Sequence, residues 1–224
     1  MAETTNKGVN ITNLILIPSV ITLAITILRL VGELQNWSPV FFSKKPGGGG
    51  AIVGIAWLAP IFGIYFALKL AGAGERPANP LKALLFAVLG VVIVVAGFVG
   101  SSLISKTPTP AVLVVVIVAF IIAGLVQQKP WPALFKTLLV YGLAARIPVA
   151  IVMLIAIHGN WGTHYDVPPD ESFPAMTWFM KWLMIGAVPQ FLIWIPFTIL
   201  SGLLFGSIAA VLAGRKSASK TAAA

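Results

Sequence analysis

Six long apolar segments follow one another along the chain, and they constrain its fold more than any other feature. They cover about residues 14–34, 51–71, 82–104, 111–127, 134–157 and 185–213. A membrane core about 30 Å thick needs roughly 20 mostly apolar residues per helix. Lipid cannot satisfy unpaired backbone groups, so only helices or closed barrels span it, and the alternation of barrel strands is absent. The sequence therefore predicts an all-α polytopic transmembrane helix bundle of about six spans.

The charge of the chain is high for so apolar a sequence, and its distribution indicates which partners to expect. The chain has 15 lysines and arginines against 6 acidic residues, and the basic residues lie mostly at segment ends. Topology signals and lipid headgroup contacts have that distribution, whereas a nucleic-acid-binding face groups basic residues on one soluble surface. The expected partner is the lipid bilayer, with no nucleic acid. The lack of cysteine excludes disulfides and thiolate metal sites.

The apolar segments divide the chain into a tail, a membrane domain and a second tail. Residues 1–13 are polar and carry no cleavage signal, so we expect the first apolar segment to be retained. Residues 14–214 form a single transmembrane domain, in which 158–184 is predicted to be an external loop with an interfacial helix. Residues 215–224 form a basic tail. Six spans would leave nine basic residues on one side and four on the other, which predicts cytoplasmic termini in a bacterial-type inner (plasma) membrane.

Arg146 is the strongest single candidate for a functional residue. It lies near the middle of the fifth apolar segment, roughly 15 Å from either interface by helix rise. A charge at that depth costs at least about 2.5 kcal/mol on insertion scales, so Arg146 should face the bundle interior and have a partner. Pro148 leaves the Ala144 carbonyl without its helical hydrogen bond, which offers one. Both an anion-binding or relay position in a solute path and a structural arginine fit this pattern.

Three further polar residues occupy apolar segments. Arg29 and Glu33 are four residues apart and share a helix face, so they can pair, and an interfacial ion pair is the simpler interpretation. Gln190 lies between two prolines, where helix bends open polar cavities in transporters or merely accompany an interhelical hydrogen bond. All three residues would lie in the outer half of the membrane, above Arg146. This arrangement predicts a cavity that opens outward.

The loop after the fifth segment holds both histidines and half of the carboxylates. Its candidate metal ligands are His158, His164, Asp166, Asp170 and Glu171, because imidazole and carboxylate together suit divalent transition metals. The loop has no HExxH motif, and two prolines interrupt any helix that could align the ligands. The alternative is a solvated loop of turn-forming residues. The pattern does not identify a cofactor.

Small residues recur at four-residue spacing in two segments and would let a neighbouring helix approach closely. They are Ala59, Gly63, Ala67 and Ala71 in the second segment, and Gly202, Gly206, Ala210 and Gly214 in the sixth. Such faces could join a second copy of the chain or a partner subunit. The glycine run 47–50 lacks the sequence and the strand–helix setting of a phosphate-binding loop, and we predict that it is a hinge.

Three functions are compatible with these observations. The preferred hypothesis is a protein that binds or translocates a small solute, or a subunit of such a complex, because polar groups lie deep in the fifth and sixth segments. The first alternative is a membrane-embedded enzyme with a His/Asp site at the outer rim, formed by His158, His164 and Asp166. The second is a structural or assembly subunit that uses the small-residue faces.

Overall fold

Every regular element of the structure, a computed structural model, is a helix. The structure describes residues 8–106, 109–169 and 175–222, and no strand occurs in these ranges. The main helices are α1 (Ile11–Leu34), α2 (Leu58–Gly72), α3 (Pro80–Ile104), α4 (Pro110–Gln128), α5 (Pro132–Gly159), α6 (Trp178–Lys181) and α7 (Ile195–Ala222). Helices α1, α3, α4 and α5 are long and apolar enough to cross a membrane. So is the continuous stretch Trp178–Gly214, which includes α6 and most of α7. The chain is therefore an integral membrane protein.

Local sequence signals explain where several helices begin. The side chains of Asn10, Asn79 and Thr109 each accept a hydrogen bond from a backbone N–H in the first turn of the following helix. Proline occupies the first position of α3, α4 and α5, where its missing N–H costs nothing and its fixed φ suits a helix. These helix starts could be read from the sequence.

The second apolar segment becomes helical later than the sequence predicts. We expected a span from about Ala51, but α2 begins at Leu58 and has 15 residues. The backbone N–H groups of Ile52 and Val53 instead donate to the carbonyls of Val40 and Phe41. Residues 51–57 are therefore tied to the preceding loop, and they become part of the wall of a cavity described below.

The last apolar region is one continuous helical rod. A separate interfacial helix was expected within 158–184, but the helix that begins at Trp178 continues without a break through two π-helical stretches, Trp182–Ala187 and Gln190–Trp194, into α7. Prolines inside a helix remove hydrogen bonds, and the wider π turns accommodate such interruptions. The indole N–H of Trp182 donates to the carbonyl of Ala150 at 2.9 Å, which fixes the start of the rod against α5.

Close helix contacts inside the bundle involve the two small-residue faces. A Cβ atom added to Gly63 of α2 would overlap the backbone of Gly202 of α7, and one added to Gly206 would lie 2.9 Å from the Gly63 carbonyl oxygen. These glycines therefore contact each other within one chain. On the other side of the bundle centre, the hydroxyls of Thr22 (α1) and Tyr141 (α5) are 2.7 Å apart, which joins α1 to α5.

The two ends of the bundle are closed by different contacts. At one end, Glu75 accepts a hydrogen bond from the Val9 N–H, and its carbonyl accepts one from the Trp131 indole. At the other end, the loop after α1 and the loop after α5 fold over the ends of α1 and α5. We call this second end the site end, because the candidate functional residues lie there.

The contact between α2 and α7 predicts a strong effect of one added methyl group. Gly63→Ala should lower the free energy of unfolding by about 1–3 kcal/mol, because the backbones must move apart. Gly124→Ala is the matched control, since nothing lies within 4 Å of a Cβ at that position and alanine favours a helix by up to about 1 kcal/mol. Unfolding of both variants in detergent measures the difference, and equal stabilities would contradict this packing.

Candidate functional site

A cavity of about 700 Å³ lies at the site end of the bundle. Its walls are formed by the two loops, the start of α4, one face of α5 and the π-helical part of the rod. Four of the residues predicted from the sequence border it: Arg29, Arg146, His164 and Gln190. We call this cavity the chamber. Residues from four distant parts of the chain therefore face one space.

Arg146 lies on the chamber wall as a buried cation. Its side chain is only 5% exposed, and its Nη1 donates to Oε1 of Gln190 at 3.4 Å. Its guanidinium lies 4.8 Å from the centre of the Trp194 ring, within the range of a cation–π contact. The Nε atom has no hydrogen-bond partner. Among the described residues, no carboxylate lies within ion-pair distance of Arg146, so its charge is not compensated there.

The partner of Arg146 differs from the one that the sequence suggested. The Ala144 carbonyl was expected to accept a hydrogen bond from Arg146, but the bond found goes to Gln190 on the rod. Gln190 also places its Nε2 3.6 Å from the sulfur of Met153. The two deepest polar candidates thus form one pair.

Arg29, Glu33 and His164 form a second polar group on the wall. Nε of Arg29 donates to Glu33 at 2.8 Å, and the backbone N–H of His164 donates to the other carboxylate oxygen at 2.8 Å. The His164 ring contacts Glu33 through Nδ1. Glu33 is fully buried and Arg29 is 7% exposed. The ion pair predicted from the sequence is therefore present, and it is buried under the loops.

The glycine-rich loop is fastened to this group. Nη2 of Arg29 donates to the carbonyls of Ser43 and Gly48 at 3.1 and 3.0 Å. Gly48 has φ +73°, and a Cβ added there would lie 3.0 Å from the His164 ring and 3.1 Å from the Arg29 guanidinium. Only glycine fits such a backbone and such a close approach. The run predicted to be a hinge thus supplies one hydrogen-bond acceptor, the Gly48 carbonyl, to Arg29.

The structure describes three of the five candidate metal ligands. His158 is exposed, and its ring packs edge-on against Trp178 at 5.1 Å. Asp166 accepts hydrogen bonds of 2.7–2.8 Å from the Gly162 N–H and from the N–H and hydroxyl of Thr163, so it stabilises its own turn. Asp170 and Glu171 lie outside the described residues. Within the described part of the chain, no three His, Asp or Glu side chains are grouped as a metal site would require.

A smaller recess of about 40 Å³ lies between the two arginines. Both Arg29 and Arg146 border it, together with Thr26, Gly54 and Tyr165. A Cβ added to Gly54 would lie 3.2 Å from Nη1 of Arg29, so the absence of a side chain keeps this space open. Two arginines therefore border one small space, and arginine side chains are suited to bind an anion.

Three residues of the site were not singled out in the sequence. Trp194 follows Gln190 by four positions, so it shares a face with Gln190, and this spacing was an available signal. Tyr165 donates its hydroxyl to the Thr26 carbonyl at 3.3 Å, and burial raises its pKa above the ordinary value. No signal pointed to Gly54, because its role depends on a helix that lies far away in sequence.

The Glu33 carboxylate predicts a large effect of its removal. Glu33→Ala leaves buried Arg29 without its ion pair and the His164 N–H without an acceptor, and breaking a buried pair costs about 3–5 kcal/mol. We expect the unfolding free energy to fall by this amount. The double variant Arg29→Met with Glu33→Leu should lose less unfolding free energy than the sum of the losses in Arg29→Met and in Glu33→Leu. Additive losses in detergent unfolding experiments would contradict the coupling.

The buried His164 ring predicts that stability falls in acid. Burial lowers the pKa of His164 below its ordinary 6.5, and the hydrogen bond with Glu33 opposes this effect only in part. Below pH 6.5 the unfolded chain therefore binds a proton that the folded chain resists, so stability is lost as the pH falls. When the pH is lowered from about 8 to about 5, the melting temperature of the wild type should drop more than that of His164→Gln. An equal drop would contradict the assignment.

Comparison of the chain with protein-family models, with curated proteins and with solved structures finds no match in any of the three. The function is therefore inferred from the side chains and cavities of the chain itself.

Proposed function

We propose that this protein binds a small anionic solute in the chamber, as a binding or translocating protein of the membrane or as a subunit of such a complex. The observation that carries the proposal is Arg146, a buried cation that borders a 700 Å³ cavity and has no carboxylate partner among the described residues. Leaving a charge buried and unpaired is costly. A ligand anion in contact with Arg146 would supply the missing charge.

The charges around the chamber favour an anion over a cation. Arg29 is neutralised by Glu33 at 2.8 Å, and burial keeps His164 from taking up a proton at neutral pH. Arg146 is then the one uncompensated charge among the described wall residues. A ligand of negative charge would be attracted into this low-dielectric space, whereas a cation would be repelled.

The hydrogen-bonding groups of Arg146 are suited to an oxyanion. Gln190 accepts a hydrogen bond from one guanidinium nitrogen, and the Trp194 ring packs against the guanidinium. The Nε–H has no partner. A planar guanidinium with free N–H groups binds carboxylate or phosphate oxygens in pairs. The chamber volume falls within the range of about 300–1,000 Å³ that is common for small-ligand sites.

The surrounding helix offers a means of moving the solute. Gln190 lies at the start of a π-helical stretch, and π-helical turns within α-helices are frequent at functional sites. We propose that the site end faces outward, with both termini cytoplasmic in a bacterial-type inner membrane, because the positive-inside rule favours that orientation. The solute would then enter from outside the cell.

A second candidate function is a membrane-embedded enzyme, and one contact favours it. Glu33 holds Nδ1 of His164, and a carboxylate that orients an imidazole is a common element of general-base catalysis. His164 borders the chamber, so the ring could act on a bound ligand. In this enzyme hypothesis, His158 and Asp166 take no part in catalysis. The assembly hypothesis has no comparable support, since Gly63 and Gly206 contact each other within one chain.

The anion hypothesis predicts selective stabilisation by anions. Phosphate, acetate or decanoate should raise the melting temperature of the purified protein by about 5–10 °C near saturation, while choline, glucose and decanol should not. Arg146→Gln should abolish the shift. The ligand-free variant should be at least as stable as the wild type, because an uncompensated buried charge is removed.

Arg76→Gln is the matched control, because Arg76 is exposed at the opposite end of the bundle. It should retain the full anion response. The proposal fails if no anion of the series stabilises the wild type, or if Arg146→Gln responds as the wild type does. A loss of stability in ligand-free Arg146→Gln would indicate a structural arginine instead.

A further inference from the structure

We propose that the ligand is a single-chain amphiphile, with an anionic carboxylate or phosphate head bound between the two arginines and an apolar chain in the chamber. This inference rests on the proposed function and specifies its ligand class. Two observations carry it: Arg29 and Arg146 both border the recess, and apolar side chains form most of the wall of the larger chamber beside it.

The recess fits the head. Arg29 and Arg146 border the same space of about 40 Å³, and the Nε–H of Arg146 is buried and has no partner. Tyr165 borders the recess from the loop side. The space exceeds the roughly 10–15 Å³ that one buried water needs, so it has room for a small oxyanion group. Charge-assisted hydrogen bonds from two sides would fix the head there.

The chamber fits the chain. Its lining next to the recess is formed largely by apolar side chains, among them Ile55, Leu113, Met153, Met184 and Ile185. A small hydrophilic anion would leave most of this wall without a partner, whereas an alkyl chain would cover it at a gain of about 0.8 kcal/mol per buried CH₂. Two of the lining residues are methionines, whose flexible side chains adapt to irregular chains.

The rim of the chamber is apolar as well. Trp57 and Met184 border the chamber and are 49% and 38% exposed. On α4, Leu113 faces the chamber, while its neighbour Val114 is 58% exposed on the side of the helix that lipid would cover. A chain longer than the chamber would therefore leave it across an apolar surface. An amphiphile that resides in a lipid leaflet meets this requirement, and a fully hydrated solute does not.

The test compares anions that differ only in chain or head. Wild-type protein in discs of neutral phosphatidylcholine is titrated with acetate, decanoate, inorganic phosphate and decyl phosphate, and discs with Arg146→Gln protein give the background from partition into lipid. We expect decanoate to bind at least 100-fold more tightly than acetate, and decyl phosphate at least 100-fold more tightly than phosphate. The comparison of the two long-chain ligands identifies the preferred head.

A variant that fills the chamber separates the chain from the head. Leu113→Trp should weaken decanoate or decyl phosphate binding at least tenfold, while the response to acetate and phosphate at high concentration remains. Val114→Trp adds the same bulk to the lipid side of α4 and should bind decanoate or decyl phosphate like the wild type. Melting curves of both variants show whether each is folded.

The outcomes distinguish this inference from the function on which it rests. If acetate and decanoate bind with equal affinity and both need Arg146, the proposed function stands, and the inference that the ligand is an amphiphile is wrong. If Leu113→Trp binds decanoate and decyl phosphate like the wild type, the chain does not lie in the chamber and the inference is also wrong. If no anion binds in an Arg146-dependent way, both proposals fail.

Discussion

The buried carboxylate of Glu33 is the interaction on which the site end depends. It accepts hydrogen bonds from Arg29, one turn away on α1, and from His164 in a loop 131 residues further along the chain. Arg29 in turn holds the carbonyls of Ser43 and Gly48. One acidic side chain thus joins a helix end to two loops. Without it, the loop after α5 would lose the hydrogen bonds of His164, and Arg29 would lose the ion pair that orients it towards the carbonyls of Ser43 and Gly48.

This arrangement determines how charge is distributed in the chamber. Because Glu33 neutralises Arg29, this buried group on the chamber wall is electrically satisfied and serves to hold the loops. Arg146, deeper in the bundle, has only the amide of Gln190 and the face of Trp194. A bilayer cannot solvate such a cation, so the fold must provide either water or an anion. The open recess between Arg29 and Arg146 provides room for an anion.

The sequence predicted the main elements of this picture but not how they meet. Apolar length predicted the helical bundle, and the depth of Arg146 and the prolines beside Gln190 identified two members of the site. Their contact spans 44 residues of sequence, and such a pairing depends on which helices are neighbours, which periodicity does not encode. Among the described residues no metal group forms, since Asp166 accepts hydrogen bonds from its own turn, and the other two predicted carboxylates lie outside the described part of the chain. The start of α2 was misplaced because backbone groups of Ile52 and Val53 bond across a loop.

The most direct test is an experimental structure of the protein in lipid discs with a bromine-tagged decanoate. The account predicts that the carboxylate lies within hydrogen-bond distance, about 3 Å, of the Arg146 guanidinium, with the bromine among the apolar chamber residues. It would be contradicted if the ligand were bound elsewhere, or if protein groups alone surrounded the Arg146 guanidinium in an empty, closed chamber.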